Sequence, residues 1–169
     1  ARAPERAYAR ILVGTDGSDT AMRAVDAAAA LAADLDAALL VACAFDPPSE
    51  RELDRLRADP GDVVGSWGAS RDAARVPDEF RWRIAAAAQA EDVLERAADR
   101  AAAQGADPEA RTLRGDPAEA LLAEAEGSDY DLLVVGSVGM TGARRFALGN
   151  VPHRVSHHAT VDVLVSRTA

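Results

Sequence analysis

The chain contains 169 residues, of which 49% are hydrophobic and 4% aromatic, and its net charge of −9 gives a pI near 4.8. This length suits a single domain over residues 1–169. So acidic a balance argues against nucleic-acid and anionic membrane partners, which require clustered positive charge. The sequence contains no lysine, which excludes a phosphate-binding P-loop, a Schiff base and a lysine general base.

The number of cysteines and the lengths of the apolar runs indicate the cellular compartment. The single cysteine, Cys43, cannot form an internal disulfide framework. No apolar run approaches the ~20 residues that span a membrane, and the first residues lack the apolar centre of a signal peptide. We therefore predict a cytoplasmic protein.

The first elements form a predicted β-α-β unit. Residues 10–14, "RILVG", are a short apolar run typical of a buried parallel strand. The turn residues "TDGSDT" follow, and Ser18 or Asp19 is the expected cap of a helix over about residues 20–35. A second buried strand is predicted to end at Phe45, after a right-handed crossover.

The pattern breaks in the next segment. Residues 46–81 carry prolines, glycines and mixed charges, and we predict an irregular insert between the second strand and the second helix. Loops of this length are uncommon unless they are functional or disordered.

Helices and strands alternate through the second half. They are expected over residues 79–104, 108–115, 117–127, 130–136, 150–159 and 161–166. Gly105 and Gly127 are the expected helix ends, while Asp116 followed by Pro117 is a helix start. The strand from residue 108 is polar, which predicts an edge position.

This alternation predicts an α/β domain with a mostly parallel sheet. Ligands of such sheets bind beyond the carboxyl ends of the strands, where the strand order reverses. The first and fourth strands both end in glycine and polar residues, "GTDGS" and "GSVGM". If these strands are neighbours, the two loops line one crevice.

The loop after the fourth strand is rich in glycine and ends at Asn150, which opens a helix. Glycine lets backbone approach a ligand closely, and free amides at a helix start attract anions. Arg144 and Arg145 lie in the same loop and add positive charge. This pattern favours a phosphate-binding loop over glycines that only end a strand.

The spacing Gly136-x2-Gly139-x9-Gly149-Asn150 resembles the signature Gly-x2-Gly-x9-Gly-(Ser/Thr) of nucleotide-binding universal stress proteins. The segments "ILVGTDGSDTAMRAVDAAAALA" and "HATVDVLVSR" also resemble that family's first strand and helix and its last strand. The resemblance covers nearly the whole chain outside residues 46–81. It implies a single-domain, five-stranded parallel sheet of order 3-2-1-4-5 with helices on both faces, similar to adenine-nucleotide α-hydrolases.

The resemblance also implies an adenine-nucleotide site. Asp16 would accept hydrogen bonds from the ribose hydroxyls, and Ala44 would offer backbone to the adenine edge. The loop glycines and the start of the last helix would hold the phosphates. The implied residues are Gly14, Thr15, Asp16, Ala44, Val135, Gly136, Ser137, Gly139, Met140, Gly149, Asn150 and Val151.

One residue departs from the signature, because Asn150 stands where the family has Ser or Thr. Asparagine caps a helix well but has no hydroxyl for a terminal phosphate or a metal. The expected ligand is ATP, which Mg²⁺ could accompany, with another adenine nucleotide such as cyclic AMP as the alternative.

The family resemblance implies a regulatory stress-response protein of bacterial type, acting on an unidentified protein partner as a homodimer paired through residues 161–166. A slow ATPase or autokinase is the catalytic alternative, but no acid, base and nucleophile converge in the sequence, so we expect no enzyme. A third hypothesis is an interaction module that binds no nucleotide, but the intact glycine spacing argues against it. A dinucleotide dehydrogenase is disfavoured because "GTDGSD" lacks the Gly-x-Gly-x-x-Gly pattern.

Three histidines lie on the last predicted helix. His153 and His157 are four residues apart and share a face, but zinc sites commonly use three or four protein ligands, and no such cluster is evident in the sequence. We therefore expect no metal site.

Overall fold

A computed structural model describes residues 8–45, 78–137 and 150–167 of the chain. In these residues five strands and four helices alternate. The strands are β1 (Arg10–Gly14), β2 (Ala38–Phe45), β3 (Pro108–Arg114), β4 (Leu132–Gly136) and β5 (Asp162–Ser166). The helices are α1 (Asp19–Leu35), α2 (Asp78–Ala103), α3 (Pro117–Gly127) and α4 (Asn150–His158).

The five strands form one parallel sheet of order β3-β2-β1-β4-β5, which confirms the predicted fold class and strand order. β1 lies at the centre, where Val13 is opposite Val41 of β2 and Val134 of β4. The polar strand β3 occupies an edge, as its sequence predicts.

Successive residues of the strands point into two separate cores. Ile11 and Val13 pack with α1 and α2 on one face of the sheet, whereas Leu12 packs with α3 on the other. Both sets are fully buried. Strands covered on two faces need no polar residue, which explains why β1, β2 and β4 read as continuous apolar runs.

The helix ends carry the predicted caps. The Ser18 hydroxyl accepts the Ala21 amide at 3.3 Å at the start of α1. Asp116 Oδ1 accepts two amides at 3.1 Å at the start of α3. After α2, Gly105 has a φ of +90° and its amide donates to the Ala102 carbonyl at 2.9 Å, which is the left-handed helix end that favours glycine.

Several predicted boundaries move by one or two residues, and two cases bear on the predictions above. α2 begins at Asp78, so residues 78–81 of the predicted insert are helical. Gly127 is the last residue of α3, and Ser128 caps it; glycine there weakens the last turn but does not take the left-handed conformation. The predicted insert over residues 46–77 lies outside the described residues.

The carboxylate of Asp131 fixes the starts of β1 and β4. Its Oδ2 accepts the amides of Ala9 and Arg10, both at 2.8 Å. The Asp131 amide in turn donates to the Arg10 carbonyl at 2.9 Å. The two central strands are therefore locked in register at their amino ends.

Gly136, at the carboxyl end of β4, lies directly against the first turn of α1. A Cβ placed on Gly136 would lie 2.9 Å from the Ala21 nitrogen and 3.0 Å from the Thr20 carbonyl oxygen. Both are backbone atoms, which cannot move aside as a flexible side chain can. Gly136 is thus required for packing, independently of any ligand.

The substitution Gly136→Ala should destabilise the protein by about 1–3 kcal/mol, because overpacking forces α1 away from β4. The free energy of unfolding, measured by urea titration without ligand, tests this. Gly127→Ala is the matched control: a Cβ there meets nothing within 4 Å, and alanine should stabilise the end of α3 by up to about 1 kcal/mol. Equal stability of Gly136→Ala and the parent chain would contradict the packing argument.

Candidate functional site

Seven of the predicted site residues lie at or near the carboxyl ends of β1, β2 and β4, which are neighbours in the sheet. Backbone pairing runs one residue past two of these strands: the Thr15 amide donates to the Ala42 carbonyl, and the Ser137 amide donates to the Ser166 carbonyl, both at 2.9 Å. The seven are Gly14, Thr15, Asp16, Ala44, Val135, Gly136 and Ser137, all buried except the half-buried Asp16 and Ala44.

The loop after β1 is held by its own side chains. Thr15 Oγ1 accepts the Gly17 amide at 3.2 Å, and Asp16 Oδ1 accepts the Ser18 amide at 3.0 Å. Such turns fix the orientation of the side chain that makes them. The Asp16 carboxylate is therefore set in place at the end of β1 before any ligand arrives.

Asp16 also acts on the second strand. Burial, and then the nearby negative charge of Asp16, raise the pKa of the Cys43 thiol to about 11. Cys43 is only 5% exposed and belongs to the core under α1 and α2. It is a protonated core thiol, not a reactive one.

Gly17, in the loop after β1, is not among the predicted site residues, yet it shapes this loop. Its φ is +81°, and a Cβ there would lie 2.7 Å from Val93 Cγ2 on α2. The loop can pass this close to α2 only because residue 17 has no side chain. The signal was available in the sequence, since Gly17 stands between Asp16 and Ser18 in a turn.

The chain leaves β1 and β4 toward opposite faces of the sheet. After β1 it enters α1, which packs in the core shared with α2. After β4 it reaches α4, whose Val151 and Val155 pack in the other core. This divergence between neighbouring strands is the topological switch point at which open α/β sheets bind ligands.

The predicted phosphate end is described only in part. Asn150 and Val151 begin α4, and Val151 packs against the second core. Gly139, Met140 and Gly149 lie outside the described residues. The sheet therefore positions the predicted ribose and base residues and the start of α4, while the glycine loop stays a prediction.

α4 is anchored to α3 by its own side chains. Val155 is fully buried. Arg154 Nη1 donates to Asp116 Oδ1 at 2.6 Å, and Nη2 donates to Glu119 Oε1 at 3.0 Å. α4 is thus anchored to α3 and to the second core.

A separate cavity of about 410 Å³ lies between α1 and α2. Among the described residues, Gly17 is the one that it shares with the loop after β1, and no described site residue lines it. Its lining is Gly17, Asp19, Met22, Arg23, Arg96 and Arg100. Arg100 is held by Asp26 through two contacts of 2.6 Å. Apart from Gly17, the lining residues lie on α1 and α2, whereas the described site residues lie at the ends of β1, β2 and β4.

Within the described ranges, histidine, cysteine, aspartate and glutamate form no cluster of three or more that could hold a metal ion. Among the helices of those ranges, none combines the length and apolarity needed to cross a membrane.

Comparison with protein families gives one match, described as "Universal stress protein family", over residues 7–167. The universal stress protein Rv1636 of Mycobacterium tuberculosis is 38% identical over 165 residues, covering 96% of this chain and 98% of that protein. The universal stress protein YxiE of Bacillus subtilis is 32% identical, covering 95% and 99%.

Two solved structures extend the comparison. A universal stress protein crystallised in complex with cAMP is 38% identical, with a TM-score of 0.67 and coverage of 96% of this chain and 99% of that one. The universal stress protein UspA from Lactobacillus plantarum is 25% identical, with a TM-score of 0.72 and coverage of 95% and 98%.

The raised pKa of Cys43 predicts a pH dependence of stability. The thiol ionises near its ordinary value of 9.0 in the unfolded chain but near 11 in the folded one. The folded state then holds more protons between these values, so its stability falls as the pH rises from about 9 toward 11.

The test is to measure the free energy of unfolding by urea titration, for the parent chain and for Cys43→Ala, across this pH range. Both proteins keep Tyr8 and Tyr130, so the difference between them isolates the thiol. We expect the parent to lose stability relative to Cys43→Ala above pH 9. A difference that does not change with pH would contradict a buried, protonated thiol.

Proposed function

Because this chain belongs to the universal stress protein family, we propose that it binds an adenine nucleotide at the carboxyl ends of β1 and β4. In this proposal it acts as a regulatory protein in the stress response and passes its bound state to a protein partner. The cytoplasmic location stays a prediction of the sequence.

One observation carries the proposal: a family member that is 38% identical over nearly both full lengths has been solved in complex with cAMP. The geometry of this chain supports the same class of ligand. Its switch point lies between β1 and β4, and a held carboxylate, Asp16, stands at the end of β1.

The proposed roles follow from chemistry. A carboxylate accepts hydrogen bonds from two sugar hydroxyls and repels phosphate, so Asp16 belongs at the ribose end. The amides of Asn150 and Val151 at the start of α4 are donors for phosphate. The remaining predicted contacts, Gly139, Met140 and Gly149, complete the phosphate end by resemblance to the family.

Asn150 bears on which adenine nucleotide binds. Its amide can donate to a phosphate, but it offers no hydroxyl for a γ-phosphate or for Mg²⁺. Cyclic AMP has a single phosphate and requires neither contact. Together with the cAMP complex of the relative, this makes cyclic AMP the first ligand to test, with ATP and its Mg²⁺ as the alternative.

Calorimetric titration of nucleotide-free protein with cyclic AMP and with ATP tests the proposal. Asp16→Asn keeps an oxygen for the Ser18 amide but removes the charge, so it should lose about 1.5–3 kcal/mol of binding free energy, the value of a hydrogen bond to a charged group. Asp19→Asn, an exposed carboxylate in the first turn of α1, is the matched control and should bind like the parent.

Three results would speak against this site. The parent chain could bind neither nucleotide, Asp16→Asn could retain full affinity, or Asp19→Asn could lose as much as Asp16→Asn. The same ATP samples, assayed for released ADP and for phosphorylated protein, separate a binding role from a slow ATPase or autokinase. Multiple turnovers during the titration would replace the regulatory proposal with a catalytic one.

We also propose that the chain forms a homodimer through β5 and its flanking residue, residues 161–166. Among the described strands, β5 lies at an edge of the sheet and pairs on one side only, and edge strands invite pairing with another chain. Leu164 on this strand is 40% exposed, the one large hydrophobic side chain so exposed among the described residues.

Leu164→Arg should convert the dimer to a monomer, because the interface would then have to bury a charge. Light scattering coupled to size-exclusion chromatography measures the mass directly. Ala110→Arg places the same charge on the opposite edge strand, β3, and should leave the dimer intact. A parent chain that is monomeric at every concentration would rule out the proposed pairing.

A further inference from the structure

The exposed face of α4 carries a pair of histidines that the nucleotide site does not use. The ring centroids of His153 and His157 are 4.5 Å apart, with the ring planes tilted by 44°. Both side chains are exposed. Residues four apart on a helix are neighbours on its surface, so this approach follows from the helix itself.

We propose that His153 and His157 form a chelating site for a divalent transition-metal ion of the zinc and copper class. Neutral imidazole nitrogen is a preferred ligand of these metals. Two imidazole nitrogens on one zinc ion, each at about 2.0–2.1 Å, lie roughly 3–3.5 Å apart. Rings with centroids 4.5 Å apart allow that separation when one nitrogen of each ring turns toward a shared point beside the helix.

The helix that presents the pair is rigidly held. Val155 lies in the core, on the opposite side of α4 from the two rings. Arg154 is bound to Asp116 and Glu119 of α3 at 2.6 and 3.0 Å. Because α4 is fixed, residues 153 and 157 stay one helical turn apart without a bound ion, and metal binding need not order the backbone.

Position along the helix also favours a cation. His157 lies in the last turn of α4, where the unsatisfied carbonyls give the helix a partial negative charge. A divalent ion bridging residues 153 and 157 therefore sits at the favourable end of the dipole and fastens one turn of helix across four residues.

The site has two protein ligands and open positions. The described part of the chain provides no third histidine, cysteine or carboxylate close enough to complete a cluster, so water would occupy the remaining coordination positions. Structural zinc sites are closed by four protein ligands. An open site with two protein ligands suits an exchangeable ion, and it has fewer protein ligands than the three or four on which the expectation of no metal site is based.

Zinc titration of the untagged full chain by calorimetry tests the inference. We expect one ion per chain for the parent protein. His153→Ala and His157→Ala should each weaken zinc binding by about tenfold or more. At metal sites, substitution of a residue that only supports a ligand already causes a loss of about tenfold. His158→Ala is the matched control, because residue 158 is adjacent and exposed but lies on another face of the helix.

The proposal is overturned if the parent chain binds no zinc, if either substitution of the pair retains full affinity, or if His158→Ala loses as much as His157→Ala. Copper provides a second readout: the electron paramagnetic resonance spectrum should show coupling to two imidazole nitrogens in the parent and to one in His157→Ala. A parent spectrum without two coupled nitrogens would equally refute the chelate. All three side chains are exposed, so these variants should keep the fold, which circular dichroism verifies.

Discussion

The pairing of β1 with β4 at the centre of the sheet is the constraint on which the rest of the structure depends. At the amino ends, Asp131 holds the pair in register by accepting the amides of Ala9 and Arg10. At the carboxyl ends, Gly136 lets the first turn of α1 lie against β4 with no side chain between them. The chain then leaves the two strands toward opposite faces. Open α/β sheets bind ligands where neighbouring strands diverge in this way, so the proposed site follows from the topology of the sheet.

Alanine makes this packing possible. α1 faces the sheet through Ala24, Ala28 and Ala29, all fully buried. Small side chains bring the helix axis close to the strands, and the first turn of α1 then meets β4 at Gly136.

A similarly close contact occurs at Gly17, where the loop after β1 touches Val93 of α2. A sequence poor in aromatic residues and rich in alanine therefore gives a core in which glycine positions decide how near the elements come. At the ends of β1 and β4, a Cβ on Gly14 would meet the flexible end of the Leu121 side chain, whereas a Cβ on Gly136 would meet backbone atoms. Gly136 therefore serves packing whether or not a ligand is present.

The fold could be predicted from the sequence because local signals and global pattern agree. Apolar runs located the strands, and Ser18, Asp116 and Gly105 located helix ends that the structure confirms. The strand order came from resemblance to the family, since spacing alone does not tell which strands are neighbours.

The features that could not be predicted depend on contacts between residues that are distant in the sequence. The approach of Gly17 to Val93 and the ion pairs of Arg154 join elements far apart in the chain, and no local pattern reports them. The same holds for the histidine pair: its spacing was visible, but the closeness of the two rings is a property of the folded helix.

α4 connects the two proposed sites physically. Its first residues are the predicted donors for phosphate, its middle is fixed by Val155 and Arg154, and its outer face carries the histidine pair. Arg154 binds Asp116, whose same oxygen also caps α3, so a shift of α4 would disturb the start of α3 as well. Because these contacts already hold α4, an ion bridging residues 153 and 157 and a nucleotide held at the start of α4 would each bind a helix that needs no rearrangement. Linkage requires that one ligand changes the state to which the other binds. The two proposed sites therefore share a helix but should bind their ligands independently.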